Sequence, residues 1–199
     1  MEKTVYFRAF EPEDIILIHQ WKNSDELNEL TVGLNKKTTM DDDLRWLNGV
    51  KDHHPYYAYW AICSEENDKM IGYVSLINIH YINSSAETGA VMIADPNYND
   101  GIAWIESVLF LFEYAFERLG LNRVYGKSLV GHKISNTVGP LMYMEIEGTL
   151  RQAAYKNGKF YDLQYVGLLK DEYFAHKEAG DYEMPAVIRR LKKLRKESK

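Results

Sequence analysis

Residues 95–106 read DPNYNDGIAWIE, a run of turn formers emptying into an apolar helix, and the chemistry such a run allows is the holding of an anion. A helix start carries N–H groups without intrahelical acceptors and the positive end of the helix dipole. A short loop that folds its own N–H groups inward can therefore bind a phosphate without any lysine. Gly101 and Ala103 are small enough to let a phosphate approach the backbone. The same letters also suit a plain connection, because Asp95-Pro96 and Asn99-Asp100-Gly101 are ordinary capping and turn chemistry, so the local pattern leaves both readings open.

Other reactive side chains read more plainly. Cys63 is the one cysteine, which excludes an intramolecular disulfide and a Cys-rich zinc site, and within YAYWAIC it reads as a core thiol in a reducing compartment. His53 and His54 lack a cysteine or carboxylate at metal-ligand spacing, so they are expected at the surface and no metal site is expected. In the tail MPAVIRRLKKLRKESK, Val187, Ile188, Leu191 and Leu194 recur at helical spacing, with Arg189, Arg190, Lys192, Lys193, Arg195 and Lys196 covering the rest. That pattern reads as a solvated helix docked by one narrow stripe, with contact to a polyanion or a partner as the alternative.

A chain of 199 residues with 46% hydrophobic content supports one domain with a full core and a small appendage. With 24 basic and 29 acidic residues the net charge is -5, so no global cationic field draws in nucleic acid. The start MEKTVYFRAF has no apolar h-region, and no window approaches the roughly 20 apolar residues that span a bilayer. A soluble, cytoplasmic protein with no membrane partner is expected.

The elements follow from periodicity. VYFRAF alternates as a strand, and EPEDIILIHQWKN follows as a helix with Pro12 near its start. Thr38 or Thr39 caps a second helix, in which Leu44, Trp46 and Leu47 form a short apolar face before Gly49. Three aromatic and β-branched runs, separated by SEENDK and YINSS, form an antiparallel meander. A helix from Gly101, apolar nearly all round, ends at Gly120 and is followed by the strand RVYGKSLV. Gly139 and Pro140 must stop or kink the next helix. Asn157-Gly158 then joins two strands as a hairpin.

In this order, VYFRAFEPEDIILIHQWKN, IGYVSLINIHYINSSAETGAVMI, FEYAFERLGLNRVYGKSL and EGTLRQAAYKNGKFYDLQYVGLL resemble the GCN5-related N-acetyltransferases. Within that superfamily the likeness is greatest to the ribosomal-protein N-terminal and spermidine acetyltransferase branch. The resemblance covers about residues 4 to 174, which sets an expected acetyltransferase domain at 1–174 and a basic helical extension at 175–199. It implies an α+β fold, with a mixed, mostly antiparallel sheet of about seven strands flanked by helices.

The resemblance further implies acetyl-CoA as co-substrate. Its pyrophosphate would lie on Asn99, Asp100, Gly101, Ile102 and Ala103, and its pantetheine arm in a gap between the fourth and fifth strands, against Val91, Met92 and Ile93. A strand N–H near Met92 or Ile93 would polarise the carbonyl. The family loop reads Arg or Gln, two residues, Gly, one residue, Gly or Ala; YNDGIA keeps Gly101 and Ala103 but has Tyr98 first. Aligned from DPNY instead, the loop is one residue short. In the family helix Asn-x-x-Ser-x-x-x-Tyr, the tyrosine protonates the CoA thiolate; here His132 and Ser135 occupy the first two positions and Gly139 the third. Tyr143, one turn on, is a possible replacement, but core packing is the preferred reading of it.

An amine of pKa near 10 is mostly ammonium at neutral pH, so a carboxylate or a water chain should take its proton. Glu87 is the best candidate base, with a solvent-facing residue or a salt bridge as the alternative; His80 and His132 rank below it. Trp21, Glu26, Glu29 and Trp46 are candidates for the acceptor side, where the acids would suit a polyamine or peptide N-terminus and the aromatics an amino sugar. Ordinary packing is preferred for the two tryptophans. The expectation is an acyl-CoA-dependent N-acetyltransferase acting on a small-molecule or peptide amine, possible as a homodimer through the tail stripe. The rival is a degenerate relative that binds acyl-CoA or a partner without transfer.

Overall fold

Alternation makes VYFR a strand, β1 (Val5–Arg8), and the Pro12–Asp14 turn leads it into α1 (Ile15–Lys22). Then come α2 (Asp25–Glu29), α3 (Met40–Lys51), β2 (Ala58–Ser64), β3 (Met70–His80), β4 (Ser85–Ile93) and α4 (Ile102–Phe112). After them follow β5 (Arg123–Leu129), β6 (Glu145–Lys156), β7 (Lys159–Leu169), α5 (Lys170–Glu178) and α6 (Met184–Glu197). The computed structural model describes residues 3–29, 36–51, 54–131, 137 and 139–197. Its strands form one seven-stranded sheet in the order β1-β2-β3-β4-β5-β7-β6, the expected α+β architecture. No helix among the described residues is long and apolar enough to cross a membrane.

The chain forms two compact units, residues 2–80 with 87–111, and residues 81–86 with 112–199. In the first, β1 and β2 run antiparallel with Tyr6 opposite Cys63, and Cys63 is buried among Phe10, Ile15, Ile18, Leu47, Ala61 and Met70. Arg8 clasps the buried Asp14 through Nη1 and Nη2 at 2.7 and 2.9 Å. Thr39 caps α3, exchanging hydrogen bonds with Asp42. The helix runs through Gly49 to Lys51.

One turn into α3 the Asp43 carboxylate is buried and accepts from Thr38 Oγ1 at 2.8 Å and Lys22 Nζ at 3.1 Å, with His19 Nδ1 at 2.6 Å. Burial pushes this carboxyl up, but those three partners outweigh it and hold it below its usual range. Asn23 continues the network by bonding the backbone of Thr38. The ends of the segment between α1 and α3 are thus tied to one another.

In the second unit the chain after α4 widens into a π-helix over Glu113–Arg118, which periodicity did not foretell. Asn157 and Gly158, at φ 49° and 79°, make the tight β6–β7 turn as expected. Helical backbone over residues 139–141 ends at the turn of Met142, where the Gly139 carbonyl accepts from Met142 N and Met144 N. Residue 174 lies inside α5, whose Tyr173 stacks on Phe116 at 4.7 Å. α6 buries Val187 and half-buries Ile188, Leu191 and Leu194.

Arg190 needs correction. Read from sequence as part of the solvated face, it lies on the docked side, donating to Leu141 O at 2.8 Å and Tyr143 Oη at 2.7 Å. The reason is position: three and four residues from Val187 and Leu194, it falls within their stripe.

Replacing Asp43 with alanine removes the shared acceptor of His19, Thr38 and Lys22 and is expected to cost about 3 kcal/mol, read from urea unfolding at pH 7. Because the folded-state pKa is depressed, this stabilisation is present above the unfolded value of about 3.9 and is lost as pH falls through the folded one. The gap between wild type and Asp43→Ala should narrow below about pH 4; a gap that stays constant into acid would show that Asp43 stabilises by packing rather than charge.

Candidate functional site

β4 ends against β3 under tight steric control. A Cβ at Gly72 would overlap the Met92 carbonyl oxygen and lie 3.0 Å from Met92 C and 3.1 Å from Ile93 Cα. The Ile71 carbonyl accepts from Ala94 N at 2.8 Å and from Asp95 N at 3.2 Å, which turns the strand out into the loop. Val91, Met92 and Ile93 are half-buried along this edge.

The loop carries the capping and turn chemistry expected of its letters. Asp95 Oδ1 accepts from Asn97 N at 2.9 Å and starts a 3₁₀ turn over Pro96–Tyr98, while Asp100 Oδ1 accepts from Ile102 N at 2.9 Å and caps α4. Tyr98 Oη donates to Ser64 Oγ at 2.6 Å, tethering the loop to the end of β2. Gly101 has φ 93°, where a side chain is strained, and Ala103 is buried. The first carbonyl of α4 to accept is that of Gly101, from Ile105 N at 3.0 Å. Among the described residues, none accepts from the N–H groups of Gly101, Ala103 and Trp104. Residues 94–104 contain no lysine or arginine, and Asp95 and Asp100 bring two negative charges.

Glu87 lies near the other end of β4. It is 4% exposed, which removes the solvent-facing alternative, and its Oε2 accepts from Asn78 Nδ2 at 2.8 Å. Asn78 adopts φ 50°, a local twist in β3. Four residues at about 3.3 Å each put Glu87 roughly 13 Å along the strand from Val91. Between them, Ala90 N donates to the buried Ser75 Oγ at 2.9 Å, so a side chain replaces a ladder partner at this point of β4.

Several candidates do not join this group. His132 and Ser135 lie outside the described residues, as does His53. His54 stacks on Tyr57 at 3.8 Å, and among the described residues no cluster of His, Cys, Asp and Glu is arranged to hold a metal. A Cβ at Gly139 would stand 3.3 Å from Met144 O, leaving little room for a larger residue there. Tyr143 stacks on His176 at 3.7 Å and accepts from Arg190, and burial raises the phenol above its usual pKa, so packing describes it better than proton donation. Trp21 and Trp46 pack against the core of the first unit, and Glu26 and Glu29 are exposed on α2.

Sequence reasoning passed over Gly72, Ser75 and Asn78. Their signal was present, since a glycine or a polar residue inside an apolar strand marks close backbone approach or an interrupted ladder.

A family model for the acetyltransferase (GNAT) domain matches residues 4–139. The chain is 37% identical over 108 residues to the putative ribosomal N-acetyltransferase YdaF of Bacillus subtilis, a stretch covering 54% of this chain and 58% of that protein. It is 26% identical over 184 residues to the spermidine N(1)-acetyltransferase of Vibrio cholerae, covering 89% of this chain and 100% of that protein. A solved structure of spermidine N-acetyltransferase from Vibrio cholerae in complex with CoA and spermine superposes with TM-score 0.76 at 23% identity, over 86% of this chain and 98% of that one. At that identity the likeness speaks to the fold.

Gly72→Ala is expected to force β3 and β4 apart at Met92 and to destabilise the protein by about 1–3 kcal/mol, with a lower thermal midpoint. An unchanged midpoint would mean that the two strands separate there without cost.

Proposed function

The chain belongs to the GNAT acetyltransferase family, and on that premise we propose that it moves the acetyl group of acetyl-CoA onto a primary amine. The observation that carries the reading is the run from the Val91–Ile93 strand edge to the unclaimed N–H groups of Gly101, Ala103 and Trp104. Those N–H groups fit a pyrophosphate, and glycine at φ 93° lets it approach. Asn99, Asp100 and Ile102 flank the seat, with His132 and Ser135 as further contacts carried over from the family pattern.

Acetyl-CoA supplies an activated thioester. A backbone N–H near Met92 or Ile93 polarises its carbonyl, and Gly72 holds that stretch of strand in place. Attack by the amine nitrogen forms the C–N bond as the C–S bond breaks. The ammonium gives up two protons, one to solvent by way of Glu87 and one that ends on the departing sulfur. At roughly 13 Å along the strand from Val91, Glu87 works through water rather than by direct contact.

The acceptor is a polyamine, a peptide N-terminus or an amino sugar; the two relatives are named a putative ribosomal N-acetyltransferase and a spermidine N(1)-acetyltransferase. One observation favours the rival, a member that binds acyl-CoA without transfer: the Asp100 carboxylate stands at the helix start where an anion would lie. Release of CoA thiol with a panel of spermidine, short peptides and glucosamine separates the two, and no release with any amine would favour the rival.

Two variants test the parts. Asp100→Asn keeps an oxygen for the Ile102 cap and removes a charge, so acetyl-CoA should bind about two- to fivefold tighter by calorimetry; weaker binding would take the pyrophosphate away from this loop. Glu87→Gln should lower turnover at least about tenfold at neutral pH and recover in part as pH rises toward 9. Equal rates from pH 6 to 9 would remove Glu87 from the mechanism.

A further inference from the structure

A distortion inside β3 stands beside Glu87. β2 and β3 pair with Leu76 opposite Ala58, and beyond that pair Ile79 N donates to Tyr56 O at 2.9 Å. From Leu76 to Ile79 the strand takes three steps, while the facing chain takes two from Ala58 to Tyr56, so β3 carries one extra residue, a β-bulge.

Asn78 lies in that bulge at φ 50°. In this left-handed region glycine has no steric cost, and asparagine is among the few other residues that tolerate it. Of the other non-glycine residues at positive φ among those described, only Gln152 also lies within a strand, and it falls in a register shift of β6 at the edge of the sheet. β3 is an inner strand. Backbone conformation alone would favour glycine at 78.

What asparagine adds is an amide. Its Nδ2 donates to Glu87 Oε2 at 2.8 Å, a bond from an exposed residue to a carboxylate that is 4% exposed. Bulges re-aim side chains, and here the re-aimed group is a donor that meets the proposed base. A carboxylate out of water needs such donors. An N–H given to a carboxylate fixes its rotation and favours the charged form over the acid. β4 has no titratable side chain besides Glu87, and β3 has Tyr73 and His80. Burial pushes the Tyr73 phenol up to about 12, so it keeps its proton at neutral pH, and His80 is exposed.

We infer that Asn78 is a positioning residue for the transfer, holding the Glu87 carboxylate in one orientation to receive the amine's proton through water. The left-handed backbone is the conformational cost of that placement. The inference rests on the proposed function for the identity of the base.

Asn78→Gly and Asn78→Asp test it, because both residues tolerate the left-handed backbone and keep the bulge while the amide is lost. Thermal midpoints and calorimetric affinity for acetyl-CoA, both close to wild type, check the fold. CoA release is then followed from pH 6 to 9 with whichever of spermidine, a short peptide or glucosamine wild type acetylates fastest. The amine's own titration is common to all three proteins and cancels in the comparison. Asn78→Gly should lower kcat at pH 7 by about three- to tenfold with the KM for acetyl-CoA unchanged, move the acid limb of the profile up by about half to one pH unit, and approach wild type near pH 9. Asn78→Asp sets a second carboxylate beside the first and should move the limb further.

An active wild type whose profile superimposes on that of Asn78→Gly would overturn the role of Asn78 while transfer stands. So would a raised KM for acetyl-CoA at unchanged kcat, or a smaller shift in Asn78→Asp than in Asn78→Gly. Loss of the fold in both variants would mean that the asparagine serves the strand and not the base. No CoA released by wild type from any amine would overturn acetyl transfer, and this role with it.

Discussion

α4 is apolar on nearly every side, so hydrophobic burial alone would leave its rotation and height poorly fixed, and the buried Glu106 supplies what burial does not. Its carboxylate accepts from Thr4 N, Val5 N and Thr4 Oγ1, at 2.8 to 3.2 Å. Those donors stand at the start of β1, where unpaired N–H groups would each cost free energy if buried. Satisfying them with one side chain locks the helix against the first strand in a single register. The start of the same helix carries the free N–H groups of the proposed anion seat, so the precision of that seat derives from an ion buried one turn further on.

The other end of the arrangement is set by absence. Gly72 has no side chain, and only for that reason does the Met92 carbonyl lie where it does. With Ile71 O receiving two successive N–H groups, the chain leaves the sheet in a defined direction and reaches the Asp95 cap already aimed. Side chains then reinforce what the backbone has begun, through the Tyr98 tether to Ser64 and the Asp100 cap.

Much of this was legible in the sequence where local chemistry and long-range packing agree. Thr39 as a cap, the Asn157-Gly158 turn and the meander strands follow from signals within a few residues, and the family likeness implied a mostly antiparallel sheet of about seven strands, though not their order. The π-helix at Glu113–Arg118 was not legible, because six residues are too few for periodicity to separate the two pitches. α5 was passed over because charge dominates Lys170–Glu178 and only Tyr173 within it is buried. Arg190 was misjudged because composition suggests solvent for a charged residue, and only the fold reveals the partner that lets it leave water; the same holds for the solvent-facing alternative once open for Glu87. Asp100 was legible as a cap, but its competition with a bound anion emerges only when cap and free N–H groups are seen on the same turn.

Cys63 has a practical consequence of its own. The thiol is fully buried opposite Tyr6, and burial holds it above its usual pKa, so it presents almost no thiolate to solvent. It is the one sulfhydryl in the chain. Disulfide or maleimide dyes added to the folded protein therefore find little to label in it, and colour that grows with time reports thiol released from a substrate rather than a background from the catalyst itself.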